Sequence, residues 1–485
     1  MSPSDALAAL LSGLTWVVLG YFLVANGYQT LLLCGAGREL IRHRYMIRGE
    51  RLDPLLGSAA VPRLSVLAPA YNEAATVATS VRSLLTLHYS NLELVLVNDG
   101  STDATLAVLQ REFELRPIHP IYRRVVATKP VRGLYQSRTN PQLLVVDKDN
   151  GRKADSLNAG LNVATGELVC AIDADTILEP DALLRILRPF LDAEDVVAAG
   201  ATIRVVNGAS VRGGRVEFVH VPRRPLPGIQ WVEYLRAFLY GRLGWNQLGG
   251  NLIISGAFGV FRRDAIQALG GYVHDTVGED MELVVHLRSH GLATGGPSRV
   301  VFVPDPIAWT EVPESLAVLG RQRDRWQRGL ADVLRRYRSL LFNPRWGVLG
   351  LVVFPYFVLV ELLGPVIEAL GLLGLVAAIA LGAINLPFAA LFLLVAYGWG
   401  VLLSLSAVLL DQSTGHGPGN PLDLALLISW SVLENLGYRQ LTVIWRLRGI
   451  LNFLRGRQDW GTMVRRGFNA AEEQVMEAPV PANRS

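Results

Sequence analysis

Leu168-Val169-Cys170-Ala171-Ile172-Asp173-Ala174-Asp175 runs five apolar residues straight into two carboxylates. A run apolar at every position, not every second one, marks a strand covered on both faces, as in a parallel sheet flanked by helices. Alternation at its end predicts Asp173 and Asp175 on one side, where they repel unless a cation or a donor intervenes. Hard oxygen ligands with an open shell suit Mg²⁺ or Mn²⁺ bridging a diphosphate.

The neighbouring sequence repeats that texture. Apolar runs at 64–70, 92–98 and 143–146 alternate with amphipathic helical patterns through Leu84, through Leu109 and over Lys153–Val163. Another follows from Pro180 to Leu191. Buried strands alternating with helices predict an α/β domain, residues 62–345, with ligands at the carboxyl ends of its strands. The polar clusters fall there. The first strand ends in Pro69-Ala70-Tyr71-Asn72-Glu73 and the second in Asn98-Asp99-Gly100-Ser101. An aromatic ring and a carboxylate at successive strand ends can hold a flat heterocycle, stacked on Tyr71 with an imide N–H donating to Asp99. Asp-Gly alone is an ordinary turn. Lys153, one of only three lysines among 46 basic residues, stands at a helix N-terminus, a place that favours phosphate.

Three later segments complete the set. In Ser255-Gly256-Ala257-Phe258 the glycine allows a backbone to approach a sugar ring. In Gly278-Glu279-Asp280 a carboxylate could take a proton from an acceptor hydroxyl, although an acidic helix start reads the same way. Gln322-Arg323-Asp324-Arg325-Trp326 lies in a basic amphipathic stretch. Its arginines suit lipid phosphate at a membrane surface, or Arg325 a pyrophosphate with Trp326 as a sugar platform.

Hydrophobic residues make up 51% of the 485 and charged residues 18%, below the roughly 25% charged that soluble domains carry. Disorder, collagen and coiled coil are excluded, and a net charge of +4 implies no nucleic acid partner. Cys34 and Cys170 suggest neither a disulfide framework nor a metal motif. Residues 7–33 are apolar and long enough to span a bilayer, so 1–37 reads as a retained anchor without a signal-peptide cleavage site. Arg38, Arg42, Arg44, Arg48 and Arg51 follow it, making 38–61 a basic cytoplasmic linker by the positive-inside rule. Apolar blocks at 348–384, 386–410 and 423–445 predict transmembrane helices over 346–445, with two or four crossings both admissible. Residues 446–485 read as a basic cytoplasmic tail with a disordered end.

In this order, Tyr-Asn-Glu, Asn-Asp-Gly-Ser, Asp173-x-Asp175, Glu279-Asp280 and Gln322-x-x-Arg325-Trp326 resemble the membrane-integrated processive family-2 glycosyltransferases. Poly-β-1,6-N-acetylglucosamine, cellulose and hyaluronan synthases form that group. Trp460–Phe468 resembles tails of its poly-N-acetylglucosamine branch. The resemblance implies a GT-A-type domain, a Rossmann-like parallel or mixed sheet, in an inner membrane protein with its catalytic domain cytoplasmic. It implies inverting transfer from a UDP-sugar, most often UDP-N-acetylglucosamine, to a growing polysaccharide that the membrane helices guide outward. Tyr71, Glu73, Asp99, Lys153 and Asp173 would bind donor, and Asp175 with Asp173 the Mg²⁺ or Mn²⁺. Asp280 would be the base with Glu279 beside it, and Ser255, Gly256, Gln322, Arg325 and Trp326 would meet acceptor and leaving group. Membrane lipid and accessory export subunits are further expected partners. The chain departs from the group at Gly278, where many members have Thr, and lacks the acceptor-loop cysteine common in cellulose synthases. The alternatives are a single transfer to a lipid-linked acceptor and a catalytically idle membrane scaffold.

Overall fold

The computed structural model describes residues 3–47, 61–382 and 386–457. Most of the basic linker (48–60, with Arg48 and Arg51) and the tail from 458, including Trp460–Phe468, lie outside the described residues.

Helix α1 (Pro3–Ile47) carries the first apolar run and continues without a break through Arg38, Arg42 and Arg44, so the anchor and the start of the expected linker are one helix. The domain behind it begins with β1 (Leu64–Ala70), α2 (Val77–Leu85), β2 (Leu92–Asn98), α3 (Thr105–Glu112), β3 (Leu115–Ile118), β4 (Val131–Ser137) and β5 (Leu143–Lys148). It continues with α4 (Arg152–Val163), β6 (Leu168–Ile172), β7 (Ile177–Leu178), α5 (Ala182–Asp192) and β8 (Val196–Val205). The order in the sheet is β3-β4-β5-β2-β1-β6, then β11 (Phe258–Arg262), β8, β12 (Arg299–Thr310) and β7.

Strands β5, β2, β1 and β6 are parallel and in step, pairing Ala70 with Asn98 and Asn98 with Asp147. Their continuous apolar runs fill both faces, with Leu64 and Val66 packed toward Val77 and Val81 of α2, and Leu67 toward Leu157 and Leu161 of α4. The sheet is mixed, because β11 enters antiparallel between β6 and β8. Phe258 pairs with Ile172, so the Ser255–Ala257 loop arrives at the edge where Asp173 leaves. One edge therefore collects five of the motifs.

Between the strands lie the small hairpin β9 (Ser210–Arg212) and β10 (Arg215–Phe218), and a helix built from α6 (Pro225–Tyr234), a π-helical stretch Leu235–Arg242 and α7 (Leu243–Asn246). Then come α8 (Arg263–Ala268), α9 (Glu279–Thr294) and α10 (Leu316–Arg336). Beyond them α11 (Phe354–Tyr356) lies between wide π turns, followed by α12 (Gly364–Ala380), α13 (Leu386–Leu393), α14 (Trp399–Thr414), α15 (Pro421–Leu433) and α16 (Arg439–Leu454).

By length and composition Gly13–Ile47 and Ala389–Thr414 could each cross a membrane. The pair Leu349–Leu362 and Gly364–Ala380, bent by 42°, is a third such span if counted as one. The last apolar block differs from a simple span. Leu436 and Gly437 leave helical geometry, Gly437 with φ +84°, and beyond this corner α16 lies along α10.

Candidate active site

Tyr71 follows β1 with half its surface exposed, and Asn72 behind it takes a left-handed φ of +56°. The two loops brace each other across the strand ends. The Asn72 N–H donates to Ser101 Oγ (3.0 Å), the Thr102 N–H to Asn72 Oδ1 (2.8 Å) and the Glu73 N–H to Thr105 Oγ1 (2.9 Å). Glu73 accepts from Thr76 Oγ1 at 2.7 Å, and its carbonyl accepts from the Val77 N–H at the start of α2 at 2.8 Å. Gly100 is required: at φ +67° a Cβ there would sit 2.7 Å from the Asn150 nitrogen.

Asp99 is buried, and three of the roughly four acceptor positions of its carboxylate are used. It accepts from Lys148 Nζ (2.7 Å) and from the N–H groups of Gly151 (2.9 Å) and Arg152 (2.8 Å). Lys148, fully enclosed, also meets Asp155 at 2.5 Å. Asp99 thus shapes the 148–152 loop at the end of the strands. Its partner Lys148 was not singled out in the sequence, although its rarity as a lysine was the available signal.

Asp173 and Asp175 follow the last residue of β6 and lie in the turn that the Thr176 N–H closes onto the Asp173 carbonyl (3.1 Å). The turn, not strand alternation, brings them to one cavity. Lys153 Nζ bonds Asp173 Oδ1 (2.5 Å) and the Gly256 carbonyl (2.9 Å), tying α4, β6 and the Ser255–Ala257 loop together. Burial works to lower the Lys153 pKa, but Asp173, Glu279 and Asp280 outweigh it and the value is raised.

Glu279 and Asp280 open α9, where unpaired N–H groups favour negative charge. Asp280 Oδ2 accepts from the Gly256 N–H at 3.1 Å and Oδ1 from the Met281 N–H at 2.8 Å. Glu279 is buried, and burial together with Asp280 pushes it up to about 7. Gly278 explains the departure from Thr. A Cβ there would lie 3.0 Å from Gly329 Cα, so a glycine pair lets the start of α9 touch α10.

That contact sets the acid pair against Gln322, Arg325 and Trp326 on α10. The Arg323 guanidinium lies 4.3 Å from the centre of the Trp326 ring. Glu233 of α6 holds Arg323 at 2.6 Å and accepts from the Tyr438 hydroxyl, at the α15–α16 corner, at 2.7 Å. No local sequence signal marked this triad; its members are assembled by packing alone.

Tyr71, Glu73, Asp99, Lys153, Asp173, Asp175, Ser255, Gly256, Glu279, Asp280, Gln322, Arg325 and Trp326 all line one open cavity of about 2110 Å³. The cavity continues past Tyr356, Phe357 and Asn26 to Glu361, Glu368 and Arg439 on the apolar helices.

A family model described as glycosyl transferase family 2 matches residues 65–270, and one described as glycosyl transferase family group 2 matches 168–403. Poly-beta-1,6-N-acetyl-D-glucosamine synthase of Staphylococcus aureus is 28% identical over 278 residues, 56% of each chain. Its Staphylococcus epidermidis counterpart is 27% identical over 279 residues, 57% of this chain and 56% of that one. The chain thus matches little more than half the length of these curated relatives. The solved structure of the mannosyltransferase PcManGT from Pyrobaculum calidifontis, in complex with GDP-Man and Mn²⁺, superposes with a TM-score of 0.52 at 21% identity. It covers 89% of this chain and 99% of its own, a likeness of fold. With a mixed GT-A-like sheet, the ordered motifs at its edge and both family models, the chain is a family-2 glycosyltransferase, similar over little more than half its length to poly-β-1,6-N-acetylglucosamine synthases.

Proposed function

We propose that the chain polymerises N-acetylglucosamine from a UDP donor into a β-linked polysaccharide, which leaves along the passage between the apolar helices. The observation that carries this reading is the single cavity. Pockets for one small molecule hold about 300–1,000 Å³. At about 2110 Å³ this one has room for a donor and several acceptor sugars, and it extends to groups on α12 and α16.

In this reading the uracil ring stacks on Tyr71, and Glu73 fixes the loop that presents it. Asp99, through Lys148 and the 148–152 backbone, shapes the cleft floor. A divalent ion of this class takes one or two protein carboxylates and completes its shell with phosphate oxygens and water. Asp175 and Asp173 fit that pattern, and no cluster of three metal-ligating side chains exists among the described residues. Bound there, Mg²⁺ or Mn²⁺ would neutralise charge on the departing diphosphate. Asp280, oriented by the Gly256 N–H, removes the proton from the acceptor hydroxyl as its oxygen attacks the anomeric carbon with inversion. Gln322, Arg325 and the Trp326 face meet the acceptor and the leaving group, with Ser255 on the same wall.

The protein in lipid nanodiscs, given UDP-sugars singly with Mg²⁺ or Mn²⁺, is expected to release UDP from UDP-N-acetylglucosamine and form a product that grows on a sizing gel. Asp280→Asn should lower turnover by about 10²–10⁴-fold. Stoichiometric transfer confined to an added polyprenyl-linked acceptor would replace polymerisation with single transfer. UDP binding without any turnover would point to the idle scaffold.

A further inference from the structure

Most buried or half-buried arginines on the cavity wall are matched with an acid. Arg236 meets Glu434 at 2.6 Å, Arg323 meets Glu233 at 2.6 Å and Arg439 meets Glu368 at 2.9 Å. Arg242 differs. Its Nη1 is buried with no hydrogen-bond partner, and no carboxylate lies within ion-pair distance of the side chain among the described residues. Its guanidinium rests 4.1 Å from the centre of the Phe238 ring, one turn back in the same helix, with Phe302 at 6.0 Å. An aromatic face supports a cation from below and leaves its in-plane N–H groups free to donate. Burial pushes the pKa of Arg242 down to about 10, while Asp280 opposes that shift. A half-buried charge with an unused donor is costly unless a partner arrives.

The position narrows that partner. Arg242 ends the π-helical stretch between α6 and α7, and such wide turns concentrate at functional sites. Three residues on, Trp245 packs with Tyr28 and Tyr356, ring centres 5.6 and 5.2 Å away, where the cavity turns toward the apolar helices. The proposed diphosphate site lies at the sheet edge, where Lys153 meets Asp173. Arg242 thus borders the cavity between the base and the passage.

We propose that Arg242 binds the acceptor, the cavity-facing side of its guanidinium donating to an oxygen of the terminal acceptor sugar, a hydroxyl or an acetamide carbonyl, beside the hydroxyl that Asp280 deprotonates. This assignment rests on the transfer reading above. It makes Arg242 a determinant of acceptor affinity and not of donor affinity.

The test uses the full chain in nanodiscs with UDP-N-acetylglucosamine, Mn²⁺ and a β-1,6-linked N-acetylglucosamine tetramer as acceptor. Initial rates and tryptophan fluorescence titrations with the tetramer and with UDP are read separately. Arg242→Met should raise the acceptor KM roughly tenfold to a hundredfold, the loss expected for one charged hydrogen bond. UDP affinity should stay within about twofold, and Arg242→Lys should recover part of the loss. Thermal unfolding should not fall for Arg242→Met, since the variant removes an unpaired charge. An unchanged acceptor KM in a wild type that turns over would overturn the assignment while leaving the transfer reading intact. Weakened UDP binding would move Arg242 to the donor side, and a lowered melting temperature would give it a structural role; either sinks the proposal. A wild type that neither binds nor extends the tetramer would overturn the transfer reading and this inference together.

Discussion

The two ends of the cavity handle charge in opposite ways. At the sheet edge, Asp173, Glu279 and Asp280 all act on Lys153, and Asp175 lines the same cavity. Along the apolar helices acids and bases match, Glu368 with Arg439, Glu434 with Arg236 and Glu361 with Arg446. The edge holds more acids than bases within reach of Lys153, as the proposed metal and base roles require. The passage is locally neutral. In the proposed function a neutral sugar chain there would meet hydrogen-bond donors and acceptors but no net charge.

The sharpest way to break that contrast is to unmatch a pair in the passage. Glu368→Gln leaves Arg439 without its acid in a largely buried place, and should cost about 3 kcal/mol of stability. The double variant Glu368→Gln/Arg439→Gln should recover most of that, because it removes both charges. Thermal unfolding in detergent reads both. Equal melting temperatures for the single and double variants would mean that pairing is not what keeps the passage folded.

A second, smaller effect tests how the two ends are joined. Gly278 and Gly329 touch backbone to backbone, so Gly278→Thr must push α9 and α10 apart by a few tenths of an ångström. Asp280 would then shift against Gln322, Arg325 and Trp326. Turnover should fall about tenfold, with roughly 1–3 kcal/mol lost to overpacking. A fully active Gly278→Thr variant would show that the start of α9 has slack, and that its spacing from α10 is not critical.

Much of this was legible in the chain. Apolar runs ending in Tyr71, Asp99 and Asp173 announced the strands and the edge where ligands bind, because strand burial and the residues that end a strand are local properties. The mixed sense of the sheet was less so, since nothing local in Phe258–Arg262 says that β11 runs against β6. Partnerships were hidden for the same reason. Asp99 reads as an acceptor, but nothing local shows that Lys148 and the 151–152 backbone use three of its acceptor positions. Glu233, Arg323 and Tyr438 meet across 205 residues of chain, and Arg242 stands out only against arginines whose acids come from other elements. The last apolar block reads as one continuous run, and nothing local in it announces the break at Leu436–Gly437.

A further effect, read only as a pH-dependent difference between two melting curves, concerns the excess charge itself. Glu279 rises from its ordinary 4.5 to about 7 because burial and Asp280 both disfavour its charged form. The folded protein therefore holds this proton more tightly than the unfolded chain does. The sign follows by linkage: between about pH 4.5 and 7 the folded state binds more protons, so stability falls as pH rises through that window and levels off above it. Glu279→Gln is neutral at every pH and removes that slope. Melting temperatures of wild type and variant, taken from pH 5 to 8, should be close at pH 5 and diverge upward for the variant by a few degrees at pH 8. Parallel curves would mean that Lys153 already compensates Glu279, and the sheet edge would then be nearly as well matched as the passage.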